Sequence, residues 1–343
     1  MLLLRNDLTE PFRNMAAEEF LLMKAEQPCV MLWRNAPAVI IGKNQDARAE
    51  VDFSFAERHG IKIVRRLTGG GAVFHDTGNI NYTFVVPDGN ELDFSVFTKP
   101  VIDALAELGV RITTSGRNDL VTVPDAKKCS GTARYIYNRK TSDGNIRKIL
   151  LHHGTLLFSA DLTSLSGVLT PDRAKLTSKG IQSVKSRVVN LKELLPPAYD
   201  GMTAEDFKHY LEDYFIRNGA IPHEFTPEDR MTIERLAAEK YETDAWLFGR
   251  FGNGKQTQSR RFDFGTVTVS LQKTENRIEK IVFSGDFFGD ADISELERLL
   301  TDIPLDAEIL ENVLGTVNIS RYMTGATASE ITELILGAAS ASG

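Results

Sequence analysis

The sequence predicts an α+β protein: a large domain with mixed β-sheets flanked by helices, and a small α+β domain at the C-terminal end. Three observations lead there. The chain has 343 residues, 42% hydrophobic and 25% charged, which suits a globular protein with room for two cores. Stretches alternating with the period of a strand are interspersed with stretches repeating at helical spacing. A glycine-rich run, Phe248-Gly249-Arg250-Phe251-Gly252-Asn253-Gly254-Lys255, reads as a hinge and sets off a final stretch with its own strands and helices.

The elements follow in order. Phe12, Ala16, Phe20 and Met23 recur at helical spacing, and residues 16–23 are the firm part of that helix. Residues 30–33 and 39–41 are strand candidates around an Ala36-Pro37 turn. Residues 61–64 and 81–86 also suit strands. Phe97, Val101, Leu105 and Leu108 mark a helix closed by Gly109, in which Pro100 fits only in the first turn or at a kink. The rest of 61–158 reads as strands joined by loops, and Pro196-Pro197 ends it with a bend. Thr203-Ala204-Glu205-Asp206 opens a helix carrying Phe207, Leu211 and Phe215. Thr226-Pro227 opens another, with proline at its first position. Beyond the hinge, Phe262, Phe264, Val267 and Val269, then Ile278, Ile281 and Phe283, predict a strand pair. Asp292-Ile293-Ser294-Glu295 and Thr327-Ala328-Ser329-Glu330 have the capping-box pattern of two late helices. The division falls between residues 1–245 and 246–343, and the small residues 338–343 are expected to fray.

Composition excludes several classes. A net charge of −7 argues against a general nucleic-acid surface. It also makes the basic run Lys175, Lys179, Lys185 and Arg187 conspicuous, although a solvated face is the usual meaning of such a run. Cys29 and Cys129 are too few for a disulfide framework, and without a Cys-x-x-Cys pair no structural zinc is expected. The opening Met-Leu-Leu-Leu-Arg is too short for a signal segment, and no apolar run approaches the ~20 residues of a membrane helix. The expected location is the cytoplasm.

The most informative stretch is Arg65-Arg66-Leu67-Thr68-Gly69-Gly70-Gly71-Ala72-Val73-Phe74-His75-Asp76-Thr77-Gly78-Asn79. Its glycines sit in a tight connection between strands. There a backbone can approach a ligand and aim N–H groups at it. The adjacent arginines suit an anionic ligand, because guanidinium forks match carboxylate and phosphate. A glycine-rich hairpin with two solvated arginines explains the bare run equally well. Neither a P-loop nor a dinucleotide fingerprint is present. Three further clusters follow: Ser115-Gly116-Arg117-Asn118-Asp119 with Ala126-Lys127-Lys128-Cys129-Ser130-Gly131-Thr132-Ala133; Leu150-Leu151-His152-His153-Gly154-Thr155; and Lys175 to Asn190.

Together these clusters, in their order and spacing from Arg65 to Leu191, resemble the lipoate–protein ligases of the A type. The resemblance covers most of the chain, including the small C-terminal domain. It implies a biotin/lipoate ligase-like fold, related to class II synthetases. It also implies ATP, Mg2+ and lipoate. Lipoate is activated to lipoyl-AMP with release of pyrophosphate, then passed to a lysine of an apo lipoyl domain. The carrier would be glycine-cleavage H protein or a 2-oxoacid dehydrogenase E2 domain, and a monomer would suffice. By the same resemblance, Lys128 is the catalytic lysine at the carboxylate and α-phosphate, with Lys127 facing away. Arg66 grips the adenylate, Thr68 stands where the family usually has serine, and Gly70 and Gly71 offer N–H groups. His75 lies beside the adenylate, with Asn79 closing that stretch. Asn118 and Asp119 face the phosphates, Asp119 as magnesium ligand or as base for the incoming lysine. Ala133 leaves room for adenosine, and His153-Gly154 touches the ligand while His152 is structural. Lys179, Lys185 and Arg187 face the acidic carrier. Octanoyltransferases on this scaffold use a cysteine just before the His-Gly pair. Here that place is held by Ile149, Leu150 and Leu151, and Cys129 reads as a small buried hydrophobe. An ATP-independent lipoyl or octanoyl transferase and a non-catalytic binder are the alternatives.

Overall fold

The computed structural model describes residues 1–89, 93–116, 118–162, 168–169, 187–249, 251 and 256–341. The chain forms two compact units. Met1–Ile40, Val51–Val64 and Val73–Thr243 make the first; Ile41–Glu50, Arg65–Ala72 and Asp244–Gly343 make the second.

The strands in chain order are β1 (Leu2–Arg5), β2 (Cys29–Trp33), β3 (Ala38–Ile41), β4 (Lys62–Arg65), β5 (Val73–His75), β6 (Asn79–Pro87), β7 (Ile112–Ser115), β8 (Asp119–Thr122), β9 (Lys128–Lys140), β10 (Ile146–Leu157) and β11 (Ile221–Glu224). Eight of them form one mixed sheet in the order β11-β1-β2-β6-β10-β9-β8-β7. β1 runs parallel to β2 and β11, and the remaining neighbours are antiparallel. A smaller sheet has the order β4-β3-β5, so the glycine run joins two strands that flank a third and is not a hairpin.

Each face of the large sheet is covered by helix. Val30, Leu32, Ile80, Tyr82, Phe84 and Leu150 point to one side. They pack there against Phe97, Val101 and Leu105 of helix Ser95–Glu107 and Phe207, Leu211 and Phe215 of helix Ala204–Arg217. Helix Pro11–Lys24 meets the other side, where its Glu18 bonds Thr83 and His153. That helix is buried over most of its circumference from Asn14 to Leu22, whereas Met23, expected on its apolar stripe, is exposed. Thr203 and Asp206 close a reciprocal capping box on Ala204–Arg217, and Thr226 and Asp229 do so on Pro227–Leu236, as the sequence predicts. Pro100 departs from expectation. It lies inside Ser95–Glu107, beyond the first turn, where it has no N–H to donate to the carbonyl of Val96, an exposed residue. Among the described residues no helix is long and apolar enough to cross a membrane.

The second unit has three strands, β12 (Gln256–Phe262), β13 (Gly265–Thr274) and β14 (Arg277–Gly285), not the expected pair. The unforeseen β12 reads Gln-Thr-Gln-Ser-Arg-Arg-Phe. It is an exposed edge strand that needs no apolar alternation. Helices Ile293–Leu300, Ala307–Gly315 and Ala328–Ser340 cover one face through Leu296, Leu310, Leu314, Ile331 and Leu334. Thr327 and Glu330 form the full capping box, whereas Asp292 caps the Ser294 N–H without a reciprocal bond. Of the residues expected to fray, 338–340 belong to the last helix, which runs to Ser340 with Ala338 fully buried; 342 and 343 lie outside the described residues.

His152 is fully buried in the first unit. Its ring stacks on Phe97 and meets Phe94 edge-on, each at 4.9 Å, and neither ring nitrogen has a hydrogen-bond partner among the described residues. Burial, with the nearby His153 and Arg134 charges, pushes its pKa down to about 3. The unfolded chain therefore binds a proton near pH 6.5 that the folded chain refuses. Stability should be intact above that pH and fall between about 6.5 and 3, by up to about 1.4 kcal/mol per pH unit. Urea midpoints measured from pH 7 to 4 should decline less steeply for His152→Phe than for the parent. Parallel curves would show that His152 does not carry the acid sensitivity.

Candidate active site

The predicted site residues divide between the units. His75, Asn79, Asn118, Asp119, Lys128, Ala133, His153 and Gly154 belong to the first; Arg66, Thr68, Gly70 and Gly71 belong to the second.

In the first unit a register shift decides where Lys128 points. β8 pairs with β9 as Asp119↔Gly131 and Leu120↔Ser130, then slips so that Val121 pairs with Lys128. Unbroken alternation would turn Lys128 to the face of Ser130, away from Asp119. The extra residue, Cys129, takes up a bulge and returns Lys128 to the Asp119 side. The Lys128 ammonium then lies 2.7 Å from Asp119 Oδ1. Lys127 is exposed. The Lys128 backbone is held on its other edge: its N–H donates to the Arg187 carbonyl at 2.7 Å, and its carbonyl accepts from Val189 N–H at 3.0 Å. Asn118 is tied to β9, donating from Nδ2 to the Thr132 carbonyl at 2.9 Å and accepting from Thr132 N–H at 2.7 Å. Lys179 and Lys185 lie outside the described residues, and the Arg187 side chain is exposed.

Ala133 pairs with His153 across β9 and β10 and shares its face. His153 Nδ1 lies 2.8 Å from Glu18 Oε1, and Thr83 Oγ1 donates to the same oxygen at 2.6 Å. Trp33 Nε1 donates to Thr83 Oγ1 at 2.9 Å. Glu18 is only 2% exposed, so its carboxylate is sustained by these donors. With its Nδ1 hydrogen directed at Glu18, His153 keeps Nε2 as its second polar atom. Gly154 has a structural reason to be glycine: a Cβ there would collide with the Tyr82 phenol on the neighbouring strand. His75 is buried, and Asn35 Nδ2 donates to its Nδ1 at 3.1 Å, which assigns the ring hydrogen to Nε2. Asn79 is buried. Its Nδ2 donates to Asn81 Oδ1 at 3.0 Å, while its own Oδ1 has no partner among the described residues. Glu18, Trp33, Asn35 and Thr83 were not legible as site residues. Asn14 and Glu18, one helical turn apart in a helix buried over most of its circumference, were the available signal.

In the second unit the two arginines do different work. Arg65 is buried and donates to five carbonyls, those of Gly42, Lys43, Gln45, Trp246 and Leu247. It is a fastener of backbone, which corrects its reading as half of an anion-binding pair. Arg66 donates from Nε to Thr68 Oγ1 at 2.9 Å and from Nη2 to the Gly69 and Gly71 carbonyls at 2.7 and 2.8 Å. The Gly70 N–H donates to the Phe287 carbonyl at 3.2 Å.

Among the described residues no group of three His, Cys, Asp or Glu side chains is placed to hold a metal. Asp119 stands as a single carboxylate, the kind of ligand set that magnesium completes with phosphate oxygens. Cys129 is fully buried, its Sγ 3.4 Å from the Leu120 carbonyl, and burial pushes its pKa up to about 12. It is therefore a thiol at neutral pH and a poor nucleophile.

Comparison with known proteins agrees along the whole chain. Residues 10–216 match the family model of the lipoyl protein ligase A/B catalytic domain, and residues 255–335 match that of the bacterial lipoate protein ligase C-terminus. The lipoate-protein ligase LplJ of Bacillus subtilis is 36% identical over 337 residues, covering 96% of this chain and 98% of that protein. The structure of LipL1 from P. falciparum, solved with lipoate, superposes with a TM-score of 0.77 at 24% identity, over 98% of this chain and 99% of that one. A lipoate protein ligase from Thermoplasma acidophilum, described as bi-partite and studied with its E2 lipoyl domain, has a TM-score of 0.62 at 26% identity. It covers 74% of this chain and 97% of its own.

Proposed function

The chain belongs to the lipoate–protein ligase family, and from that premise we propose that it is an ATP-dependent ligase working in two steps. Lipoate and ATP give lipoyl-AMP and pyrophosphate, and the lipoyl group then passes to a lysine of an apo lipoyl domain. H protein and E2 lipoyl domains are the partner class. Residues 1–245 serve as the catalytic domain and 246–343 as an accessory domain. Of the glycine-rich run 248–255, residues 250 and 252–255 lie outside the described residues.

The observation that carries this reading is the Lys128–Asp119 arrangement at the β9 bulge, 2.7 Å apart. Activating a carboxylate with ATP gathers negative charge at the α-phosphate, and a fixed ammonium is what lowers that barrier. Lys128 supplies it, with Asp119 holding the ammonium in place. Magnesium would neutralise the polyphosphate, and Asp119 with the phosphate oxygens would hold it. Asn118 orients the loop bearing Asp119. His153, oriented by Glu18, contacts the bound ligand, and Ala133 on the same face leaves room for the adenosine. Arg66, Thr68 and Gly71 bind the adenylate, with His75 and Asn79 beside it; the Gly70 N–H, expected to face the ligand, is taken by the Phe287 carbonyl. Arg187, Lys179 and Lys185 meet the acidic carrier. A transferase working through an acyl thioester would need an activated thiol, and the buried Cys129 is the reverse of one; against a cysteine-free transferase the reading rests on Lys128 and Asp119.

Pyrophosphate release with lipoate, ATP and apo carrier tests the function as a whole; no release would overturn it. Lys128→Ala should lower lipoate-dependent pyrophosphate exchange by ~10²–10³ or more, while Lys127→Ala stays near the parent. Equal losses in both would mean that Lys128 is not the charge at the α-phosphate. Cys129→Ser should keep most of the activity, because its hydroxyl can still donate to the Leu120 carbonyl. An acyl thioester on Cys129 detected by mass spectrometry would instead place the protein among the transferases.

A further inference from the structure

In the second unit the glycine run is approached by protein backbone. Gly70 N–H donates to the Phe287 carbonyl at 3.2 Å. A Cβ on Gly69 would stand 2.6 Å from that carbonyl oxygen, and one on Gly70, whose φ is +89°, would stand 2.7 Å from the Phe288 ring. The same point on Gly70 is 3.1 Å from Arg66 Nη2, so the Phe288 ring and the Arg66 guanidinium flank a single residue. The turn that brings Phe287 and Phe288 here is itself anchored. Phe287 is fully buried in the core of this unit, and Gly285 N–H donates to the Asn44 carbonyl at 2.8 Å.

Three consecutive glycines lack side chains that could hold their shape, and they lose much conformational entropy when ordered. Arg66 is bound to Thr68, Gly69 and Gly71 of this same loop. The aim of its guanidinium is therefore as well defined as the loop, and the loop takes its definition from the Phe287 carbonyl and the Phe288 ring. We propose that Phe288 is a positioning residue for the ligase reaction. Its ring packs on Gly70, sets the conformation of residues 66–71 and so directs Arg66 toward the nucleotide. The inference rests on the ATP-dependent ligase reading and names how the C-terminal segment serves it.

The test uses the full-length protein and the variants Phe288→Ala, Phe288→Leu, Arg66→Lys and the Phe288→Ala/Arg66→Lys double. Phe288→Ala should lower lipoate-dependent pyrophosphate exchange by roughly 10²-fold, the scale of a ~1 Å misplacement of a binding group. Hydrogen–deuterium exchange of the peptide spanning 66–74 should become faster in the same variant. Phe288→Leu, which refills the contact, should restore both. Arg66→Lys should cost far less in the Phe288→Ala background than in the parent, because the two act through one contact. A merely structural role would lower thermal stability and leave the losses additive. Additive losses, or Phe288→Ala with fast loop exchange and parental pyrophosphate exchange, would overturn the proposal. A parent protein without pyrophosphate exchange would instead overturn the ligase reading itself.

Discussion

Two-sided burial of the large sheet is the constraint on which the rest depends. Helices cover both faces, so most residues of β6 and those of β9 and β10 that pair beside it must suit one of two interiors, and alternation assigns which. His152 and His153 show how strict this is. One is sealed among Phe94, Phe97 and Tyr82, and the next residue on the strand reaches Glu18 on the opposite face. Cys129 and Lys128 would follow the same rule, but the bulge in β9 breaks it. One inserted residue sends the thiol into the core and the ammonium to the carboxylate. On the proposed function, a chemical requirement is met by a local irregularity in pairing, and bulges commonly lie next to active sites.

The polar groups gathered on the chemical face are costly to bury, and the structure offsets that cost by concentrating donors. Glu18 is nearly inaccessible, and a lone carboxylate there would lose several kcal/mol of hydration. Thr83 and His153 converge on its Oε1, and Trp33 in turn fixes the Thr83 hydroxyl. The energetic argument runs both ways. The donors make the carboxylate tolerable, and the carboxylate holds one imidazole tautomer and one ring orientation. A histidine so oriented presents the same nitrogen to a ligand without first losing rotational freedom.

Much of this was legible in the residues, and the exceptions have physical causes. Helices announced themselves through capping residues and spacing at Thr203, Thr226 and Thr327, because those signals are local. The motif clusters pointed to the right family because they depend on identity and order along the chain. Glu18 was hidden because a charged residue on an amphipathic stripe reads as solvated; only three-dimensional burial shows otherwise. The Lys128 orientation was read from the motif, since period-two alternation would have sent the side chain the other way. Helix Ala307–Gly315 and strand Gln256–Phe262 were missed for a different reason. One lacks a capping box, and the other lies at a sheet edge where apolar residues are not required.

Glycine runs carry an ambiguity that this protein makes concrete. Absence of a Cβ says that something comes close, and it does not say what. At Gly154 the close neighbour is a tyrosine ring from the adjacent strand; at Gly69 it is the Phe287 backbone and at Gly70 the Phe288 ring, more than two hundred residues further along. The arginines before that run are ambiguous in the same way. Five carbonyls around Arg65 use its rigid fork of donors to bind loops together. Adjacent residues of one strand end point to opposite sides, so only one of the two can serve a ligand and the other is left for structure. The division of labour between Arg65 and Arg66 is thus the same alternation that separates His152 from His153. A pair of identical residues in a motif is better read as one functional group with its support than as a doubled charge.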